Sequence, residues 1–173
     1  GLPNGIVDTD MIANNAVTNA KATGIAGGKL LQTATGTTST QHENTTSTFA
    51  DTGLSASITP SATGSKILVM VSQAFEIMST SADCGGSIRL LRDSTVIDSA
   101  TSGSGNPHKL YSYAQGVNSI SLYGHYSVTI LDSPNTTSSV TYKTQDAMYY
   151  GNHRIKTQSS SIPSYITLME IAA

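Results

Sequence analysis

Residues 119–145, SISLYGHYSVTILDSPNTTSSVTYKTQ, decide the fold. Ile120, Leu122, Tyr126, Val128 and Ile130 fall on one side of a period of two, and Ser119, Ser121, His125, Ser127 and Thr129 on the other. Successive strand side chains point to opposite faces of a sheet, so this alternation predicts a half-buried β-strand. Asp132-Ser133-Pro134-Asn135 then breaks the pattern, because Pro has no N–H for a ladder and Asp and Asn bond their own backbone in turns. Val140, Tyr142 and Thr144 resume it, and the two runs together predict an antiparallel hairpin with a long connection. Tyr126, Val128 and Tyr142 are expected in the core.

Outward from this stretch, more strands follow at intervals of about 8–12 residues, the spacing of a sandwich or jelly roll. Leu54, Ala56 and Ile58 alternate with Ser55, Ser57 and Thr59, after a turn expected at Asp51 to Gly53. KILVMVSQAFEI, residues 66–77, is apolar on both faces and predicts a central strand or one lying against another subunit. Residues 87–92 and 95–98 flank Asp93-Ser94 as a tight hairpin, and residues 79–86 are expected to be a loop. A short strand is expected near residues 109–113, and another with a turn within 146–156. YITLMEI, residues 165–171, is the last. Glu170, in that strand, is expected at an edge facing water; if buried it would need a cation, for which Arg89, Arg92 or Lys66 would serve.

The first 28 residues differ. Val7, Ile12 and Val17 recur at a spacing of five, with Ala22 in phase, a period of neither helix nor strand. Small residues between regularly spaced apolar ones suit chains wrapped around a shared axis. We therefore read 1–28 as an extended stem and trimerisation segment, with Val7, Ile12, Val17 and Ile25 facing the axis, and 29–173 as a β-sandwich head. Gly27-Gly28 is the expected hinge, and residues 29–32 the first strand of the head. Residues 33–48, rich in Thr, are expected as a surface loop or short edge strand. The fold class is all-β: an antiparallel jelly-roll head behind an extended amino-terminal stem.

Composition narrows function. Charged residues make up 12% of the 173, against a usual share of about 25%, and Ser, Thr, Asn and Gln take their place. A net charge of −2 lacks the basic stripe that nucleic-acid binding needs. No apolar run approaches the roughly 20 residues of a membrane span. There is no signal peptide, and a start at Gly1 rather than Met suggests a processed or excerpted piece. A single cysteine, Cys84, excludes an internal disulfide and reads as a small hydrophobe or loop thiol.

Three stretches, FADTGLSASITPSATGSKILVMVSQ (49–73), LDSPNTTSSVTYKTQ (131–145) and SYITLMEIAA (164–173), resemble a domain repeated in virion proteins of tailed phages, especially marine ones. DTDMIANNAVTNAKATGIAGGKLL (8–31) resembles shaft segments of phage tail fibres. The resemblance covers most of the chain through the order of these four stretches, with no single diagnostic motif. It implies a trimeric virion fibre or spike with a jelly-roll tip similar to the tumour-necrosis-factor fold. The histidine-x-histidine ion site of some fibre tips is missing from this sequence.

No catalytic pattern emerges. His42, His108, His125 and His153 stand at no zinc-ligand spacing, there is no G-x-S-x-G elbow, and the acids are scattered. We expect neither enzyme activity, cofactor nor metal. The tyrosines are more suggestive: eight, with no Trp and two Phe. An exposed Tyr offers an apolar face and a hydroxyl to sugars and protein epitopes. A receptor site would use Tyr111, Tyr113, Tyr123, Tyr149 and Tyr150, near strand ends and loops, with His125 on the solvent side of its strand beside Tyr123, and His153 and Arg154; the loops are 83–86, 102–113 and 149–154. The expected partners are two further copies, other virion proteins through the stem, and a host-surface glycan or protein. Alternatives are a purely structural capsid or tail decoration protein, and an extracellular filament or adhesin subunit of phage-like ancestry.

Overall fold

The computed structural model describes residues 29–80, 83–99, 110–113, 119–148 and 153–173. Its strands are β1 (Leu30–Thr38), β2 (His42–Asn44), β3 (Ala50–Ile58), β4 (Lys66–Ser79), β5 (Asp83–Arg92), β6 (Thr95–Asp98), β7 (Leu110–Tyr113), β8 (Ile120–Asp132), β9 (Val140–Met148), β10 (His153–Thr157) and β11 (Ser164–Ile171). All pairings are antiparallel.

Several of these strands are halves of longer ones. β11 pairs with residues 66–72 of β4 and β10 with residues 75–79, along the same path. β1 and β2 follow the same two halves in turn, and β7 and β6 line up along β5. Joining the halves leaves eight strands in two sheets. The first, sheet A, runs β1/β2, β10/β11, β4, β8; the second, sheet B, runs β3, β9, β5, β6/β7. Numbered one to eight along the chain, the orders are 1-8-3-6 and 2-7-4-5, which is jelly-roll connectivity.

The opening stretch folds as the alternation requires, with one correction. Tyr126 and Tyr142 are buried, Ile120, Leu122, Val128 and Ile130 pack against the core, and Ser121, His125, Ser127 and Thr129 are exposed. The expected hairpin does not form: β8 pairs with β4 in sheet A, and β9 pairs with β3 and β5 in sheet B. The turn residues between them carry the chain across the sandwich, and the core face of each strand is filled from the opposite sheet. Asp132, at the end of β8, ties the layers together by accepting from the Arg92 guanidinium and from the Tyr142 hydroxyl at 2.7 Å.

Other expectations shift in detail. The first strand runs to Thr38, and β2 adds an edge piece where a loop was one of two readings. The turn at Asp51 to Gly53 is a bulge inside β3, where pairing with β9 slips between Asp51 and Ser55 and Gly53 takes φ 84°. That left-handed backbone suits glycine. Residues 83–86 are the start of β5, paired with β7, rather than a loop. The hairpin at Asp93-Ser94 forms, with Asp93 at φ 52°.

Glu170 fits neither expectation. It is fully buried, and Ser61 N–H and Oγ donate to its Oε1 at 2.7 and 2.6 Å while Gln32 Nε2 donates to Oε2 at 2.6 Å. Neutral donors stabilise the carboxylate where a cation was expected. Burial pushes its pKa up, but these hydrogen bonds outweigh burial and hold it at about 2. Inside the sandwich, Gln73 of β4 donates to Thr52 Oγ1 at 2.9 Å, and Thr52 meets Thr144 at 2.6 Å, so a polar thread runs between the two sheets.

Candidate functional site

The outer faces of the two sheets differ in chemistry. On sheet B, Asp51, Ser57, Arg89, Thr141, Lys143 and Gln145 satisfy one another across the strands. Lys143 donates to Asp51 at 2.8 Å, Gln145 to Asp51 at 2.6 Å, Arg89 to Gln145 at 2.6 Å, and Ser57 meets Thr141 at 2.8 Å. Arg89 also stacks 3.8 Å from the Phe49 ring centroid.

Sheet A is different at each end. Near the start of β4, its outward side chains are Leu68 and Met70, flanked by Leu131 of β8 and by Tyr165 and Met169 of β11. Leu131 and Tyr165 are each 54% exposed, with Leu30 and Leu31 also exposed at the neighbouring edge. Scattered apolar residues on a surface need no explanation, but a contiguous patch marks a contact. This is the end at which Lys29 leads into β1, its carbonyl accepting from Ala172 N–H at 2.9 Å.

Toward the other end the face turns polar. Glu76 of β4 is buried and accepts from Ser159 Oγ at 2.7 Å and from the Tyr123 hydroxyl. Burial raises its pKa, and these donors with Lys156 and Arg154 nearby bring it below the usual value. The break between β10 and β11 is built against this point. Gln158, Ser160 and Ser161 all take positive φ, and Gln158 N–H holds the break to β4 by donating to Ala74 O at 2.9 Å. Left-handed backbone at three non-glycine residues is strained and persists only where surroundings fix it. Beside the break lies a cleft of about 330 Å³ between Tyr123, His125, Ser160 and Ile162, with Ala74 and Phe75 as its floor. Gly124 lies beside it, and a Cβ there would point into the core, 2.7 Å from the Phe75 ring.

Beyond, at the end of β4, a groove of about 280 Å³ is lined by Glu43, Thr45, Met78, Thr80, Ser119 and Arg154 among others. Arg154 Nε and Nη2 lie 3.2 and 2.9 Å from the Met78 sulfur.

Of the eight receptor residues singled out in the sequence, three are brought to this face: Tyr123, His125 and Arg154. Tyr123 is 66% exposed and lies within β8, near the end of the strand at which Ile120 begins it. Tyr111 and Tyr113 belong to β7 and His153 opens β10, but their side chains lie outside the described structure, as do Tyr149 and Tyr150 altogether. The stem residues Val7, Ile12, Val17 and Ile25 also lie outside the described residues. Glu43, Glu76, Met78 and the strained break were missed by sequence reasoning. Their shared face depends on pairing between distant strands, for which the sequence carries no local signal.

His42 faces the buried Asp146 carboxylate at 3.3 Å, where Asn44 Nδ2 also donates to Asp146 Oδ1 at 3.2 Å. Among the described residues no group of three His, Cys, Asp or Glu could hold a metal ion, and no helix is long and apolar enough to cross a membrane. Neither a protein-family model nor a curated protein matches the chain.

Proposed function

We propose that the chain is a trimeric fibre or spike tip of a tailed-phage particle, with copies meeting along the apolar end of sheet A and the opposite end presented to a host surface. The observation that carries this reading is the contrast between the two outer faces. Sheet B's polar groups already satisfy one another, whereas sheet A leaves Leu68, Met70, Leu131, Tyr165 and Met169 together on its surface.

Two further points support a second and third copy as the occupants of that patch. The patch lies where residue 29 enters the sheet, so contacts among heads would continue directly into contacts among the preceding segments. The sequence of 1–28 offers Val7, Ile12, Val17 and Ile25 to such an axis but has too few apolar residues to fold as one chain. The order of the four phage-like stretches supplies the virion setting, on the particle surface. Attachment is favoured over a purely decorative role by the cleft and groove at the far end of the face.

The test is binding of fluorescently labelled full chain to cells of a susceptible host. Saturable binding that blocks particle adsorption is the expected result. Particles that adsorb normally at saturating chain concentrations would contradict attachment.

A further inference from the structure

We infer that the groove at Arg154 is a binding site for a carboxylate-bearing sugar, such as a uronic acid, which deepens and rests on the attachment reading above. The first ground is position. Leu30 pairs with Ile171 and Ile171 with Lys66, while Arg154 pairs with Met78, twelve residues further along β4. At roughly 3.3 Å per residue the groove lies about 40 Å along the strand from the point where the chain enters the sheet. In a tip whose stem precedes residue 29, that end faces outward.

The second ground is the state of the arginine. Arg92 faces Asp132, Lys143 faces Asp51 and Lys156 faces Glu43, so each has a carboxylate. Arg154 instead lies half-buried with two of its nitrogens on the Met78 thioether, a weak acceptor. A guanidinium has five donors in a planar fork, and a carboxylate takes two of them side by side. Glu76 on the same face feels the Arg154 charge, but its oxygens are taken by the Ser159 and Tyr123 hydroxyls, and Glu43 is turned to Lys156 at 3.7 Å.

The third ground is the rest of the lining. Thr45, Thr80 and Ser119 supply hydroxyls suited to sugar hydroxyls, and Met78 supplies an apolar floor. A volume of about 280 Å³ falls at the lower limit of small-molecule sites. It suits one sugar ring rather than a peptide.

The experiment is a saturation-transfer NMR titration of the full chain with galacturonic acid, with galactose as the neutral control. Saturable binding of galacturonic acid, none of galactose, and a loss of ~tenfold or more in Arg154→Gln, equivalent to about 1.4 kcal/mol, is the expected result. Glu43→Gln should bind severalfold more tightly, because it removes the groove's own negative charge; this gain cannot come from misfolding. Wild-type binding of both sugars alike, binding of neither, or unchanged titration in Arg154→Gln would overturn the assignment. Light scattering on the same samples separates the two readings. A trimer that takes no galacturonic acid removes the groove and leaves the trimer standing. A monomer that binds it through Arg154 keeps the groove and removes the trimer.

Discussion

Gly36 of β1 lies so close to Ser55 of β3 that a Cβ at position 36 would sit 1.9 Å from the Ser55 carbonyl oxygen. This is where the edges of the two sheets meet. The obstacle is backbone, which cannot swing aside as a side chain would. Gly36→Ala is therefore expected to force β1 away from β3 and to strip Gln32 from Thr59 O and Glu170, which it reaches at 2.7 and 2.6 Å. Thermal denaturation should show a severely destabilised or insoluble head. A melting temperature within a degree or two of wild type would contradict the close approach.

Gly124→Ala provides a graded comparison. Its Cβ would meet the Phe75 ring at 2.7 Å, and the obstacle is a side chain of the core, which can shift where backbone cannot. Overpacking of this kind costs about 1–3 kcal/mol. Urea titration should find a loss in that range, with the head still folded.

The acid limb of stability should belong in part to Glu170. Its folded pKa of about 2 lies below the ordinary 4.5, so its contribution is full above pH 4.5 and is lost as the pH falls toward 2. Glu170→Gln should lower stability at pH 7 by about 1.5–3 kcal/mol, the usual worth of hydrogen bonds to a charged group. It should also flatten the pH dependence below 4.5. An unaltered acid limb in that variant would show that the Ser61 and Gln32 bonds do not act through the charge.

Asp146 should produce the opposite slope at higher pH. Burial lifts its pKa from 3.8 to about 6, against the lowering influence of His42 and of the Asn44 hydrogen bond. The folded state then holds the proton more strongly than the unfolded chain between those values. Its contribution is full below pH 3.8 and is lost as the pH rises through 6. Asp146→Asn should remove that decline, measured as the difference in urea midpoint between pH 4.5 and 7. A wild-type midpoint that rises over that interval, with the same rise in the variant, would contradict it.

The strand faces were legible because burial on one side of a sheet writes itself as a period of two: Tyr126 and Val128 inward, His125 and Ser127 outward. The partners of those strands were not. Asp132-Ser133-Pro134-Asn135 reads equally well as a hairpin turn or as a passage between sheets, and only β4, about 50 residues upstream in the chain, decides the matter. Glu170 misled for a related reason. A buried carboxylate needs donors, and Ser61 and Gln32 are brought to it from separate strands and loops rather than from its own neighbourhood. Of the candidate binding face, Tyr123, His125 and Arg154 stood out by residue type, while the groove around Arg154 is assembled from four distant segments.

The most direct measurement is the molar mass of the full chain by light scattering, for wild type and for Met70→Glu. The expected wild-type particle is three times the 18.0 kDa of one chain. A charge placed in the apolar end of sheet A should dissociate the heads while leaving their circular dichroism intact, since Met70 points away from the core. A wild-type particle of 18.0 kDa, or a Met70→Glu variant with the heads still joined through this face, would contradict the contact between copies.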